Sequence, residues 1–90
     1  MTQLNKIQQQ FVDAFATDPE VISLIKDIEA RPKTTRNHYG DYGAAISKLC
    51  QGSKIAAQLL ALAFVKAGAD YIGVTNGLNV LVLGEPPIMG

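Results

Sequence analysis

Ninety residues, 48% apolar and 18% charged, with a formal net charge of zero, describe one globular domain with a thin polar coat. That balance excludes an intrinsically disordered chain and a binder working through an overall basic charge. A single cysteine, Cys50, excludes an internal disulfide framework and fits a reducing compartment.

The segment from Met1 to Gln10 lacks the apolar stretch of a secretion signal. The longest apolar run in a helical pattern, Ile55 to Val65, contains Gln58 and falls short of the ~20 residues of a membrane span. The expectation is a soluble, cytoplasmic chain with no membrane contact, one domain over 1–90, and a loose tail over 85–90 where Pro86 and Pro87 stop any regular element.

Leu4, Ile7, Phe11, Ala14 and Phe15 recur at helical spacing and predict an amphipathic first helix ending near Ala16. Thr17-Asp18-Pro19-Glu20 then reads as a helix start. Thr17 with Glu20 fits a capping box, and Asp18 as the cap puts Pro19 in the first helical position; both registers stand. The second helix turns Val21, Ile22, Leu24, Ile25 and Ile28 inward, with Lys26, Asp27 and Glu29 outward, and stops before Pro32. The first two helices are expected to pair as an antiparallel hairpin.

A third helix starts within Asn37 to Asp41 and runs to Gln51, with Tyr39, Tyr42, Ile46 and Leu49 as its apolar stripe. Gly40 and Gly43 each cost a helix about 1 kcal/mol relative to alanine. Their presence implies a close approach by another backbone or a late helix start. Ser53 caps the fourth helix, and Gly68 ends it. That helix is apolar on almost every side, so it is central or faces a partner.

Beyond Gly68, Asn76-Gly77 separates two apolar, β-rich runs, 71–75 and 78–83. This pattern predicts a β-hairpin on a type I′ turn. The expected fold is therefore α+β: about four helices, the first two a helical hairpin and the last largely buried, then a C-terminal β-hairpin. An all-α chain with a fifth helix over 70–83 is the alternative, disfavoured because Gly73 and Gly77 would weaken it.

The most site-like stretch is 31–38. Arg31, Lys33 and Arg36 are basic, Thr34 and Thr35 carry hydroxyls, and Asn37 and His38 lead into a helix N-terminus, which attracts anions. An anion, nucleotide or nucleic-acid site there is weighed against a simple solvated connection. His38 and Asp41, three residues apart with Tyr39 between, could orient an acid–base imidazole, which makes a small enzyme the second alternative. The pair is too common to name a reaction. One histidine and one cysteine are too few for an ordinary zinc site, so no metal is expected. The glycines match no nucleotide fingerprint, and no cofactor is expected. A helix-turn-helix fails because its reading helix, 71–78, would carry neither Lys nor Arg.

What remains is surplus apolar surface between Ser53 and Leu83. It predicts a non-enzymatic interaction or regulatory module that forms a homo-oligomer, a dimer first of all, through 53–83. A larger protein could take the same face.

Overall fold

Four of the helices begin where a short polar side chain satisfies backbone N–H groups that have no partner of their own. In the computed structural model, which describes residues 4–32 and 39–86 (for Tyr39 the backbone alone), α1 covers Lys6–Ala16. The Gln8 N–H donates to the Asn5 side chain at 2.8 Å, and the Asn5 N–H donates back to Gln8 at 3.1 Å, a reciprocal capping box. Helix α2, Pro19–Ala30, is capped by Asp18, whose carboxylate accepts the Glu20 N–H at 2.8 Å. Proline therefore occupies the first helical position, and the choice between the two registers falls to Asp18. The Thr17 hydroxyl instead donates backward to the Asp13 carbonyl at 3.0 Å and finishes α1.

Helix α3 is Tyr39–Cys50 and α4 is Lys54–Lys66. Between them Gln51 and Gly52 both take left-handed backbone, with φ of 51° and 85°. The Ser53 hydroxyl accepts the Ala56 N–H at 3.1 Å to start α4, and Gly68, at φ 105°, ends it as its spacing predicts.

The C-terminal β-hairpin is overturned. Tyr71–Asn76 is a helix, α5, that runs without a break into a π-helical segment, Gly77–Leu83, and no strand occurs among the described residues. The chain is all-α. Two physical reasons decide it. Asp70 caps the segment by accepting the Gly73 N–H at 2.8 Å. Gly77 holds right-handed helical backbone (φ −60°, ψ −45°) rather than the positive φ of a type I′ turn. A Cβ placed on Gly43 of α3 would stand 2.9 Å from the Gly77 carbonyl oxygen and 2.9 Å from the Leu81 Cβ, and would also collide with the Leu81 Cδ1. Gly43 is where the expected close approach occurs; Gly40 faces open space. Gly43 lets α3 approach the π-helical segment at backbone distance, and that contact offsets its cost in helix propensity.

The main core joins four helices around α4. Leu60 and Phe64 of α4 share one buried cluster with Ile25 and Ile28 of α2, Tyr42 and Ile46 of α3, and Val74 of α5. A smaller cluster joins Val12 and Ala16 of α1 to Leu59 and Ala63 of α4, with Phe11 and Phe15 spanning both clusters, their ring centroids 4.8 Å apart. Helix α1 thus docks chiefly on α4 and only lightly on α2, so the expected α1–α2 hairpin is a minor contact. Its buried line is Val12 and Ala16, while Ile7 and Ala14 of the predicted stripe are exposed. Lys66 pairs with Asp13 across the same contact. The Lys66 ammonium, with Gln9 second, holds the Asp13 carboxyl below the usual carboxylate range. Among the described residues no helix is long and apolar enough to cross a membrane.

Candidate functional site

Of the candidate anion-binding residues, Arg31 is described with its side chain; Lys33, Thr34, Thr35, Arg36, Asn37 and His38 lie outside the described residues. Arg31 ends α2 and pairs with Asp41 of α3 at 3.0 Å, both side chains about half exposed. Asp41 sits in the first turn of α3, where the helix dipole favours a carboxylate. The acid proposed to orient His38 is thus engaged by Arg31, and that ion pair joins the two ends of the 31–38 connection. Among the described residues no group of three His, Cys, Asp or Glu side chains is placed to hold a metal ion.

Behind this ion pair lies a polar cluster that the sequence reading missed. Tyr42 is fully buried, and its hydroxyl donates to the Glu29 carboxylate at 2.5 Å. The Asp70 backbone N–H donates to the same Glu29 oxygen at 3.3 Å. One carboxylate therefore ties the end of α2 to the first turn of α3 and the start of α5. Glu29 stands four residues after buried Ile25, so helical spacing places it beside the buried stripe; that was the available signal. Burial, reinforced by the neighbouring Glu29 charge, pushes the Tyr42 hydroxyl well above the ordinary tyrosine value of 10.0. The neutral phenol is thus favoured by the fold. Its contribution to stability is fully present below pH 10 and is lost as the pH rises beyond it, because only the unfolded chain ionises there. Chemical denaturation of the wild type at rising alkaline pH is expected to show this decline. Tyr42→Phe is expected to remove that part of the pH dependence and to cost about 1–3 kcal/mol at neutral pH. A wild-type stability that stays level through alkaline pH contradicts the assignment.

The third feature is an open groove of about 440 Å³ between α4 and α5. Its α4 side is Ala61, Leu62 and Val65, and its α5 side is Tyr71, Val74 and Leu78, the last in the π-helical continuation. Ala61 and Val74 are buried and form the floor, while Leu62 and Tyr71 stand up as rims. Gln58 and Lys66 mark polar positions along the α4 rim. Ile55, seven residues before Leu62 and so on the same helix face, extends that rim as a ridge. The lining is overwhelmingly hydrocarbon, which suits burial of apolar side chains and offers little for orienting a polar substrate. This groove lies within the 53–83 region predicted to associate. Much of that region's apolar surface is covered within the chain, including Ala57, Leu59, Leu60, Ala63 and Phe64; of the exposed remainder Leu62 and Tyr71 border this groove, whereas Ile55 and Leu81 do not line it. Comparison with protein-family models, with curated proteins and with solved structures finds no match to this chain.

Proposed function

We propose that the chain is a non-enzymatic interaction module that self-associates as a dimer through the α4–α5 face. One observation supports this reading above the rest: Leu62 and Tyr71, 47% and 58% exposed, border one apolar groove, and Ile55, 63% exposed, lies two turns before Leu62 on the same face of α4. Single exposed hydrophobics are ordinary on any protein surface, but several that frame a common depression mark a contact surface. The zero net charge removes the long-range repulsion that would keep copies apart. A standard contact covers about 800 Å² of each partner, about one-seventh of this chain's 5780 Å² surface, so a single face of the molecule suffices.

Sedimentation equilibrium or light scattering at micromolar concentration tests the reading. The expected mass is twice the 9.6 kDa of the chain. A uniform 9.6 kDa species across the concentration range rejects it.

A further inference from the structure

Asn76-Gly77 has the composition of a turn, yet the fold places it inside a helix, at the join of α5 and the π-helical segment. The pair also carries a chemistry of its own. Asparagine is a thermolabile amide, and a following glycine has no side chain to shield its backbone nitrogen or restrict its backbone. The Gly77 nitrogen can attack the Asn76 side-chain carbonyl carbon. A new N–C bond then closes a cyclic imide, the Gly77 nitrogen gives up its proton, and the side-chain nitrogen leaves as ammonia. Water reopens the ring: addition at the side-chain carbonyl gives aspartate, and addition at the backbone carbonyl gives isoaspartate. Of the asparagines in the chain, Asn76 alone precedes glycine; Asn5, Asn37 and Asn79 precede Lys6, His38 and Val80.

The fold opposes this ring closure twice. The attacking nitrogen is engaged, since the Gly77 N–H donates to the Gly73 and Val74 carbonyls. The backbone is also turned the wrong way. Asn76 holds helical φ −68° and ψ −37°, whereas the ring swings the Gly77 nitrogen round to the side-chain carbon, at a ψ outside the helical range. Gly77 is buried, and its carbonyl lies against Gly43 of α3. Helix and docking must both give way before the atoms can meet. We infer that Asn76 is a spontaneous modification site gated by the docking of α5 and the π-helical segment on α3, its amide being lost only from molecules in which that segment has opened. The conversion is one-way. It adds a negative charge to a chain of zero net charge, and isoaspartate adds a carbon to the main chain, so the product marks each chain that has opened. None of this depends on self-association.

Peptide mapping by mass spectrometry, after incubation at neutral pH, reads the amide-to-acid change at each asparagine. In wild type unfolded in guanidinium chloride, Asn76 is expected to convert first. In the folded protein its conversion should be slower by at least about tenfold, a ratio that follows the protection of the 71–83 amides against hydrogen exchange. Gly43→Leu puts a side chain where the Gly77 carbonyl and Leu81 leave no room. Whether that variant opens the segment alone or unfolds altogether, its Asn76 should react at least about tenfold faster than in the folded wild type. Asn76→Gln, whose longer side chain closes the ring poorly, is the control and should keep its amide. Equal Asn76 rates in folded and unfolded wild type overturn the inference. So does a Gly43→Leu chain that reacts at the folded wild-type rate, or another asparagine that leads in the unfolded chain.

Discussion

Phe64→Ala is expected to destabilise the protein by about 3–5 kcal/mol, the usual cost of emptying a large aromatic position in a close-packed interior. Phe64 is 0% exposed and sits where α4 meets α3, its ring 6.0 Å from that of Tyr42 in an edge-to-face arrangement. The surroundings cannot collapse freely into the space. Ile28, Ile46 and Leu60 are themselves fully packed, and Tyr42 is anchored at its far end by Glu29. Proteins of this kind hold only about 5–15 kcal/mol in total, so one substitution removes a large share. Thermal denaturation should register a drop of at least about 12 °C. Ile7→Ala is the matched control: that side chain is 77% exposed, and its loss should change stability by no more than about 0.5 kcal/mol. Similar values for the two variants would show that α4 is not the centre of the core.

Gly43→Ala should have the next largest effect, and its sign runs against helix propensity. Alanine in the middle of a helix ordinarily gains about 1 kcal/mol over glycine. Here the added methyl meets the Gly77 carbonyl oxygen and the Leu81 Cβ, both at 2.9 Å, and both fixed to backbone. Relief requires moving the whole π-helical segment away from α3, so the net outcome is a loss of about 1–3 kcal/mol. Gly40→Ala, three residues earlier in the same helix, meets nothing within 4 Å and should be neutral or stabilising by up to about 1 kcal/mol. Urea unfolding of both variants separates the two effects. A gain at both positions would mean that the helix crossing is looser than described.

The contrast between these two glycines shows where the amino-acid pattern is informative. Caps and stops are written locally: Ser53 and Gly68 act on backbone groups within a few residues and are read directly, whereas Thr17 and Asp18 compete for one helix start and the structure gives it to Asp18. The central role of α4 is equally legible, because a helix with apolar residues all round has to be surrounded. Asn76-Gly77 misleads because its local preference is a turn, whereas its outcome is decided by Gly43, over thirty residues away. Tertiary contact overrides local preference, and no window of sequence around residue 77 contains the deciding neighbour. The α1 face fails for a similar reason. Ile7, Ala14 and the buried pair Val12 and Ala16 lie on neighbouring sides of one helix, and the position of α4 selects between them. The pattern of α2 points Glu29 outward with Lys26 and Asp27; its use as a clasp depends on Tyr42 and the Asp70 N–H arriving from elsewhere. Residues 33–38 lie outside the described residues, so the anion and acid–base readings attached to them rest on sequence.

Cys50 has a practical consequence. Its thiol points inward and donates to the Ser47 carbonyl at 3.5 Å, only 6% of the residue meeting solvent. The chain's one sulfhydryl is thus sheltered from reagents while the fold is intact. Maleimide dyes and spin labels can then be attached to a cysteine introduced at any surface position with the native residue left in place. The same sheltered sulfur becomes an internal clock for opening of the fold, since it reacts only when α3 comes away from its neighbours.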